Sequence, residues 1–186
     1  MKKFELTTES ITNVAGKKLF RIKALIDFED VKAGELGGYV EKEGNVSQDG
    51  NAWVYGNAWV SGDARVYGNA RVSGDARVYD NAWVYGDARV CGNAWVSGNA
   101  RVSGDARVCG NADYTLIQGF GTEFRCTTFY RGKNKKIMVN CGCFHGDLEE
   151  FKKQVKETRN GKVAKEYLMI ADLMEYHFAS EDSDDE

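Results

Sequence analysis

Gly56-Asn57-Ala58-Trp59-Val60-Ser61 is followed at once by Gly62-Asp63-Ala64-Arg65-Val66-Tyr67, and this six-residue phrase runs from about Asn51 to Ala112. Alanine recurs at every sixth position from Ala52 to Ala112, and a valine stands two places after each alanine as far as Val108. Residues two apart in a strand point the same way, so each Ala and its Val share one face. The residues between and after them, Trp59 and Ser61 or Arg65 and Tyr67, share the other. Gly-Asn or Gly-Asp closes each phrase with residue types that tolerate the backbone angles of a corner. Strands this short with corners this regular predict a chain that coils and stacks on itself.

Composition narrows the classes. The chain has 186 residues, 42% of them hydrophobic, and a formal net charge of -3, so no global field draws it to nucleic acid or acidic membranes. Proline is absent, as suits a body of paired backbone in which a missing N–H would break a ladder. No apolar run is long enough to cross a bilayer. Met1-Lys2-Lys3-Phe4-Glu5 lacks the apolar core of a secretion signal. Five scattered cysteines then read as thiols of a reduced, cytoplasmic chain.

The repeated phrase resembles the hexapeptide repeat of left-handed parallel β-helix proteins. That family includes acyltransferases, sugar-nucleotide-modifying enzymes and γ-class carbonic anhydrases. The resemblance covers residues 33–114 and implies a triangular coil of three hexapeptides, about eighteen residues per turn. The expected fold is therefore mainly β, a single-stranded left-handed parallel β-helix. Residues 1–32 form an N-terminal β cap, because Phe4 and Leu6, then Phe20, Ile22 and Ala24, alternate with polar residues around a turn at Asn13–Gly16. Gly34, Gly37 and Gly38 read as a Gly-rich entry turn into the coil. Beyond it, residues 115–146 are expected to form a β-hairpin. A helical segment over 147–180 completes an α+β cap, with Asp147 and Glu150 as a capping box. Residues 181–186, all acidic but one serine, read as a disordered tail.

With three phrases per turn, the outward residues fall into columns. One holds Trp53, Arg71, Arg89 and Arg107; a second Trp59, Arg77 and Trp95; a third Arg65, Trp83 and Arg101. Successive coils lie about 4.8 Å apart, which brings guanidinium groups onto indole faces, a contact worth about 0.5–1 kcal/mol at exposed sites. The columns could cover the coil, or they could bind a planar or anionic partner. The corner residues Asp63, Asp75, Asp87 and Asp105 nearly balance the arginines and argue against nucleic acid. Cys91 and Cys109 stand one coil apart, within disulfide range, and are expected to be small reduced outward residues.

Chemistry is sparse. Hexapeptide acyltransferases use a histidine base and γ-class carbonic anhydrases several histidine zinc ligands, but His145 and His177 both lie outside the repeat. The best candidate is Cys141, Cys143 and His145 with Cys126 on a facing strand, a possible zinc set. The Cys-x-Cys spacing fits a buried apolar face better. No cofactor and no catalytic residue is expected.

A narrower similarity adds a context. Leu19-Phe20-Arg21-Ile22-Lys23-Ala24-Leu25, the run Gly34-Glu35-Leu36-Gly37-Gly38-Tyr39-Val40 and the Cys141-Gly142-Cys143-Phe144 segment resemble uncharacterised phage and prophage hexapeptide-repeat proteins, often labelled transferases on the repeat alone. With no base and no metal ligands in the repeat, the chain reads as a non-catalytic binding scaffold, and the phage-like resemblance implies that it acts in the cytoplasm of a bacterial host. It would act on a host protein, such as a defence component, or on a small ligand. A dimer or trimer is expected, with no membrane partner. The binding surface is placed on Trp53, Trp59, Trp83, Trp95, Arg65, Arg77 and Arg101. A hexapeptide-class transferase and a self-assembling rod are the alternatives.

Overall fold

A computed structural model describes residues 1–179, so the acidic tail expected over 181–186 lies outside the described residues. The chain forms two compact units, the first from Met1 to Asn111 and the second beginning at Ala112. The architecture is mainly β: a parallel β-solenoid in the first unit, and a sheet with two C-terminal helices in the second.

In the first unit, β1 (Phe4–Thr12) and β2 (Lys18–Ala24) pair antiparallel, with Phe4 opposite Ala24. Asn13 closes the turn between them, its Oδ1 accepting the N–H groups of Ala15 and Lys17. β3 (Leu36–Val40) pairs antiparallel with β2 and parallel with the solenoid. Gly37 and Gly38 belong to this strand rather than to an entry turn. A Cβ at Gly37 would run into the Val54 carbonyl and one at Gly38 into that of Ala58, so only glycine lets the strand seat this closely.

Ten two-residue strands follow at six-residue intervals. They are β4 (Trp53–Val54), β5 (Trp59–Val60), β6 (Arg65–Val66), β7 (Arg71–Val72), β8 (Arg77–Val78), β9 (Trp83–Val84), β10 (Arg89–Val90), β11 (Trp95–Val96), β12 (Arg101–Val102) and β13 (Arg107–Val108). Every third strand pairs in parallel, giving the ladders β4-β7-β10-β13, β3-β5-β8-β11 and β6-β9-β12. The register puts Trp53 beside Arg71, Trp59 beside Arg77 and Arg65 beside Trp83, so partners stand eighteen residues apart. Backbone bonds hold the coils: Trp53 N–H donates to Ala70 O at 3.0 Å and Tyr55 N–H to Val72 O at 2.8 Å, and the pattern recurs along the array.

The interior is a column of side chains with no solvent exposure, the alanines from Ala52 to Ala106 and the valines from Val54 to Val108. Each valine so buried contributes about 1.5–3 kcal/mol. The corners need a left-handed residue, which glycine supplies with φ near 60 to 71° from Gly56 to Gly104. Asp80 holds the same conformation, φ 59°, where the glycine is missing. Its carboxylate accepts the Gly98 N–H of the next coil at 3.2 Å.

Three polar side chains hold the first coil, two of them to the N-terminal strand and one to the coil that follows. Gln48 Oε1 accepts the N–H groups of Lys3 (2.8 Å) and Phe4 (3.2 Å), and its Nε2 donates back to Phe4 O at 3.1 Å. Asn45, fully buried, donates to the carbonyls of Gly62 and Ala64. Lys3 is 2% exposed; its Nζ donates to Gly50 O at 3.2 Å and Ala52 O at 2.9 Å, with the Phe28 ring 5.1 Å away.

The second unit is an antiparallel sheet of β14 (Tyr114–Phe120), β15 (Arg125–Arg131), β16 (Ile137–Cys141) and β17 (Phe144–Asp147), in chain order. The two strands expected from the sequence are the inner pair, flanked by two more. α1 (Leu148–Thr158) opens with the capping box: Asp147 Oδ1 accepts Glu150 N–H at 3.0 Å and Glu150 Oε2 accepts Asp147 N–H at 2.9 Å. α2 (Gly161–Phe178) follows after two residues. Phe129 and Val139 of the sheet pack with Phe151 and Val155 of α1 and with Tyr167, Ile170 and Met174 of α2.

Burial pulls the Lys3 ammonium down to about 8 from 10.5, against the pull of Asp49. Between those values the unfolded chain binds more protons than the folded one, so stability rises with pH across that window. Urea unfolding is expected to show this rise in the wild type and a smaller one in Lys3→Met. Identical pH dependence in the two proteins would contradict it.

Candidate functional site

Two of the three predicted columns form an ordered exterior. On β5, β8 and β11 the Arg77 guanidinium lies 5.7 Å from the Trp59 ring and 4.6 Å from that of Trp95. On β6, β9 and β12 the order is reversed, with Trp83 between Arg65 at 5.8 Å and Arg101 at 5.1 Å. Tyrosines extend both rows. Tyr67 stacks flat on Tyr85 at 4.9 Å and meets Trp83 edge-on at 6.1 Å, while Tyr79 lies 5.8 Å from Trp59. Trp95 is the most open indole, 44% exposed.

An open groove of about 690 Å³ runs beside the Arg65–Trp83 row, with Tyr67 in its wall and the Glu43–Gln48 segment opposite. That segment is fixed by the Asn45 bonds to the coil, by Lys42 Nζ to Asp63 at 2.7 Å and by Gln48 Nε2 to Glu43 at 2.8 Å. The groove thus combines two aromatic rings, a guanidinium and a carboxylate on rigid backbone. The sequence reading missed its second wall. Residues 43–48 break the six-residue phrase, and only their pairing with the coil, Val46 against Val66, reveals them.

Trp53 does not belong to the exterior. It is fully buried, edge-on to Phe4 at 5.9 Å and to Phe28 at 5.3 Å. Alternation does place it outward from the coil, but the N-terminal segment lies over it. The next rung of that column is occupied in the same way. Arg71 pairs with Glu29 and Asp30, each at 2.9 Å, and lies 5.9 Å from the Tyr55 ring. Tyr55 donates its hydroxyl to Asp30 at 3.1 Å, and burial pushes its phenol up to about 12. The Trp53 column anchors the N-terminal segment.

The cysteines also differ from expectation. Cys91 and Cys109 are joined in a disulfide, Cα to Cα 4.4 Å, where the sequence reading left reduced thiols. Parallel stacking sets equivalent positions about 4.8 Å apart, which brings the pair within bonding range. Cys126, Cys141, Cys143 and His145 do not converge, and no group of three or more His, Cys, Asp or Glu among the described residues could hold a metal. β16 ends at Cys141, Gly142 turns with φ 62°, and Cys143 is exposed in that turn, so the two cysteines do not share a strand face. Cys141 opposes Thr127, whose hydroxyl donates to its sulfur at 3.1 Å. Cys126, next to Thr127, points to the opposite side of the sheet. His145 pairs across the turn with Asn140.

A family model described as a YdcK β-solenoid repeat matches the chain in overlapping windows, residues 64–80, 70–86, 76–92, 82–98, 88–104 and 94–110. The windows advance by six residues, the same step as the strands from β6 onward. No curated protein matches the sequence. The matched windows contain Trp83, Trp95, Arg65, Arg77 and Arg101, but not the wall at Glu43–Gln48.

The two classes of tryptophan separate by stability. Trp53→Ala is expected to destabilise the first unit by about 3–5 kcal/mol, as a large buried ring does. Trp59→Ala removes a surface contact worth about 0.5–1 kcal/mol. Equal shifts in urea midpoint for the two variants would contradict the assignment.

Proposed function

We propose that the protein is a non-catalytic binding scaffold that engages a protein partner through the Trp59–Arg77–Trp95 and Arg65–Trp83–Arg101 rows. The observation that carries this reading is the alternation of indole and guanidinium, half-buried to exposed, on stacked backbone. Trp, Tyr and Arg dominate the energetics of protein interfaces because they present large rigid area with a polar edge. Here their rotamers are held by neighbours one coil away, which lowers the entropy lost on binding. The solenoid is taken as the left-handed, three-hexapeptide form that the repeated phrase resembles. The resemblance to phage and prophage proteins supports a partner in a bacterial host, with a defence component as one candidate and the cytoplasm as the proposed site of action. No described helix is long and apolar enough to cross a membrane.

The non-catalytic reading rests on a coil interior filled by alanine and valine, and on a repeat without histidine. Trp59, Trp83 and Trp95 changed together to alanine are expected to abolish partner capture from host extract while leaving the far-ultraviolet circular dichroism unchanged. Undiminished capture would overturn the outer-face assignment. Acetyl-CoA turnover that His145→Ala eliminates would overturn the non-catalytic one.

A further inference from the structure

A partly enclosed cavity of about 60 Å³ opens in the second unit between the sheet and its helices. A water molecule occupies about 30 Å³ of the liquid, so the space suits one small organic anion. Its inner wall is apolar, from Phe144 of β17 and Phe151 and Val155 of α1. Arg125, which begins β15, and Arg159, which caps the C-terminus of α1, stand at the rim with Glu123. Two guanidinium groups and one carboxylate leave the rim with a net charge of +1.

Both guanidinium charges act on the hydroxyl of Tyr167, which also contacts the Cys141 thiol and donates to Phe120 O at 3.4 Å. Burial holds this phenol above its ordinary range, with Cys141 adding to the effect. Two glycines make the room. A Cβ on Gly142 would strike the Arg125 guanidinium, and one on Gly121 would strike the Tyr167 hydroxyl. The cavity wall therefore offers two cationic forks above an aromatic floor, a set that matches a carboxylate with a short alkyl body.

We propose that this cavity binds a short-chain monocarboxylate, with its carboxylate on Arg125 and Arg159 and its alkyl end against Phe144, Phe151 and Val155. The site is independent of the outer rows. A dianion such as hydrogen phosphate exceeds the +1 rim and lacks the apolar end, so it binds more weakly than acetate or propionate.

Cys141 lines the cavity and supplies the test, with exposed Cys143 as an internal reference. Iodoacetate carries the carboxylate; iodoacetamide is its neutral counterpart. In either case the thiolate attacks the methylene carbon, the S–C bond forms, the C–I bond breaks, and iodide and the thiol proton leave to solvent. Peptide mapping of the full chain gives the iodoacetate-to-iodoacetamide rate ratio at each cysteine. The ratio at Cys141 is expected to exceed that at Cys143 by about tenfold, equivalent to roughly 1.4 kcal/mol. Acetate is expected to protect Cys141 alone, with phosphate at the same concentration protecting it less. Arg125→Gln with Arg159→Gln is expected to bring the two ratios together, the ratio cancelling any change in the reactivity of the thiol itself. Equal ratios in the wild type, no protection by acetate, or no labelling of Cys141 by either reagent would each overturn the proposal. Should the double variant unfold, acetate protection of the wild type decides alone.

Discussion

The backbone ladder between coils is the constraint on which the solenoid depends. The N–H groups of Trp53, Trp59, Arg65, Arg71, Arg77, Trp83 and Arg89 each donate to the carbonyl of an alanine one coil further on, at 2.9 to 3.0 Å. From Trp53 onward these bonds repeat at eighteen residues per coil, which fixes the six-residue phrase, whereas the first coil sets Tyr39 beside Trp59, twenty residues on. The bonds form only if the coils approach without obstruction, which fixes small residues inside. The ladder stops where the phrase stops. Trp95 N–H donates to the side chain of Asn111 at 2.8 Å instead of to the carbonyl of Ala112, the equivalent alanine.

This division explains what could be read from the sequence. The apolar interior follows from a period of six written into local residue types, while the columns and their register also needed the turn of three that the hexapeptide resemblance implies. Trp53 illustrates the other case. Its outward direction is local, but its burial is set by Phe4 and Phe28, residues far away in the chain whose positions no repeat encodes. The same holds for Arg71, matched to Glu29 and Asp30. In the second unit the capping box of α1 was legible because both partners lie within one helical turn. The separation of Cys141 from Cys143 was not. Strand alternation predicts a shared face, and it fails because the chain reverses at Gly142.

The recognition proposed for the outer rows and that proposed for the C-terminal cavity rest on different foundations. A residue such as Trp95 sits on a surface already held by backbone and interior, so its side chain contributes little to folding and its chemistry is open to change. Arg125 and Arg159 stand at the edge of a core built by Phe151, Tyr167 and their neighbours, and glycine at two turns leaves room for Arg125 and Tyr167. A surface of the first kind suits a partner that varies. A cavity of the second kind suits a ligand that does not.

The eighteen-residue register also governs how such a gene can grow. Duplicating eighteen residues adds one rung of about 4.8 Å and leaves every downstream side chain on its original face. Duplicating six keeps each strand and corner intact but moves all later residues one face around the prism, setting tryptophan where arginine had been. Repeat slippage therefore has two distinct outcomes here, a longer version of the same surface or a reshuffled one, and neither disturbs the alanine and valine within.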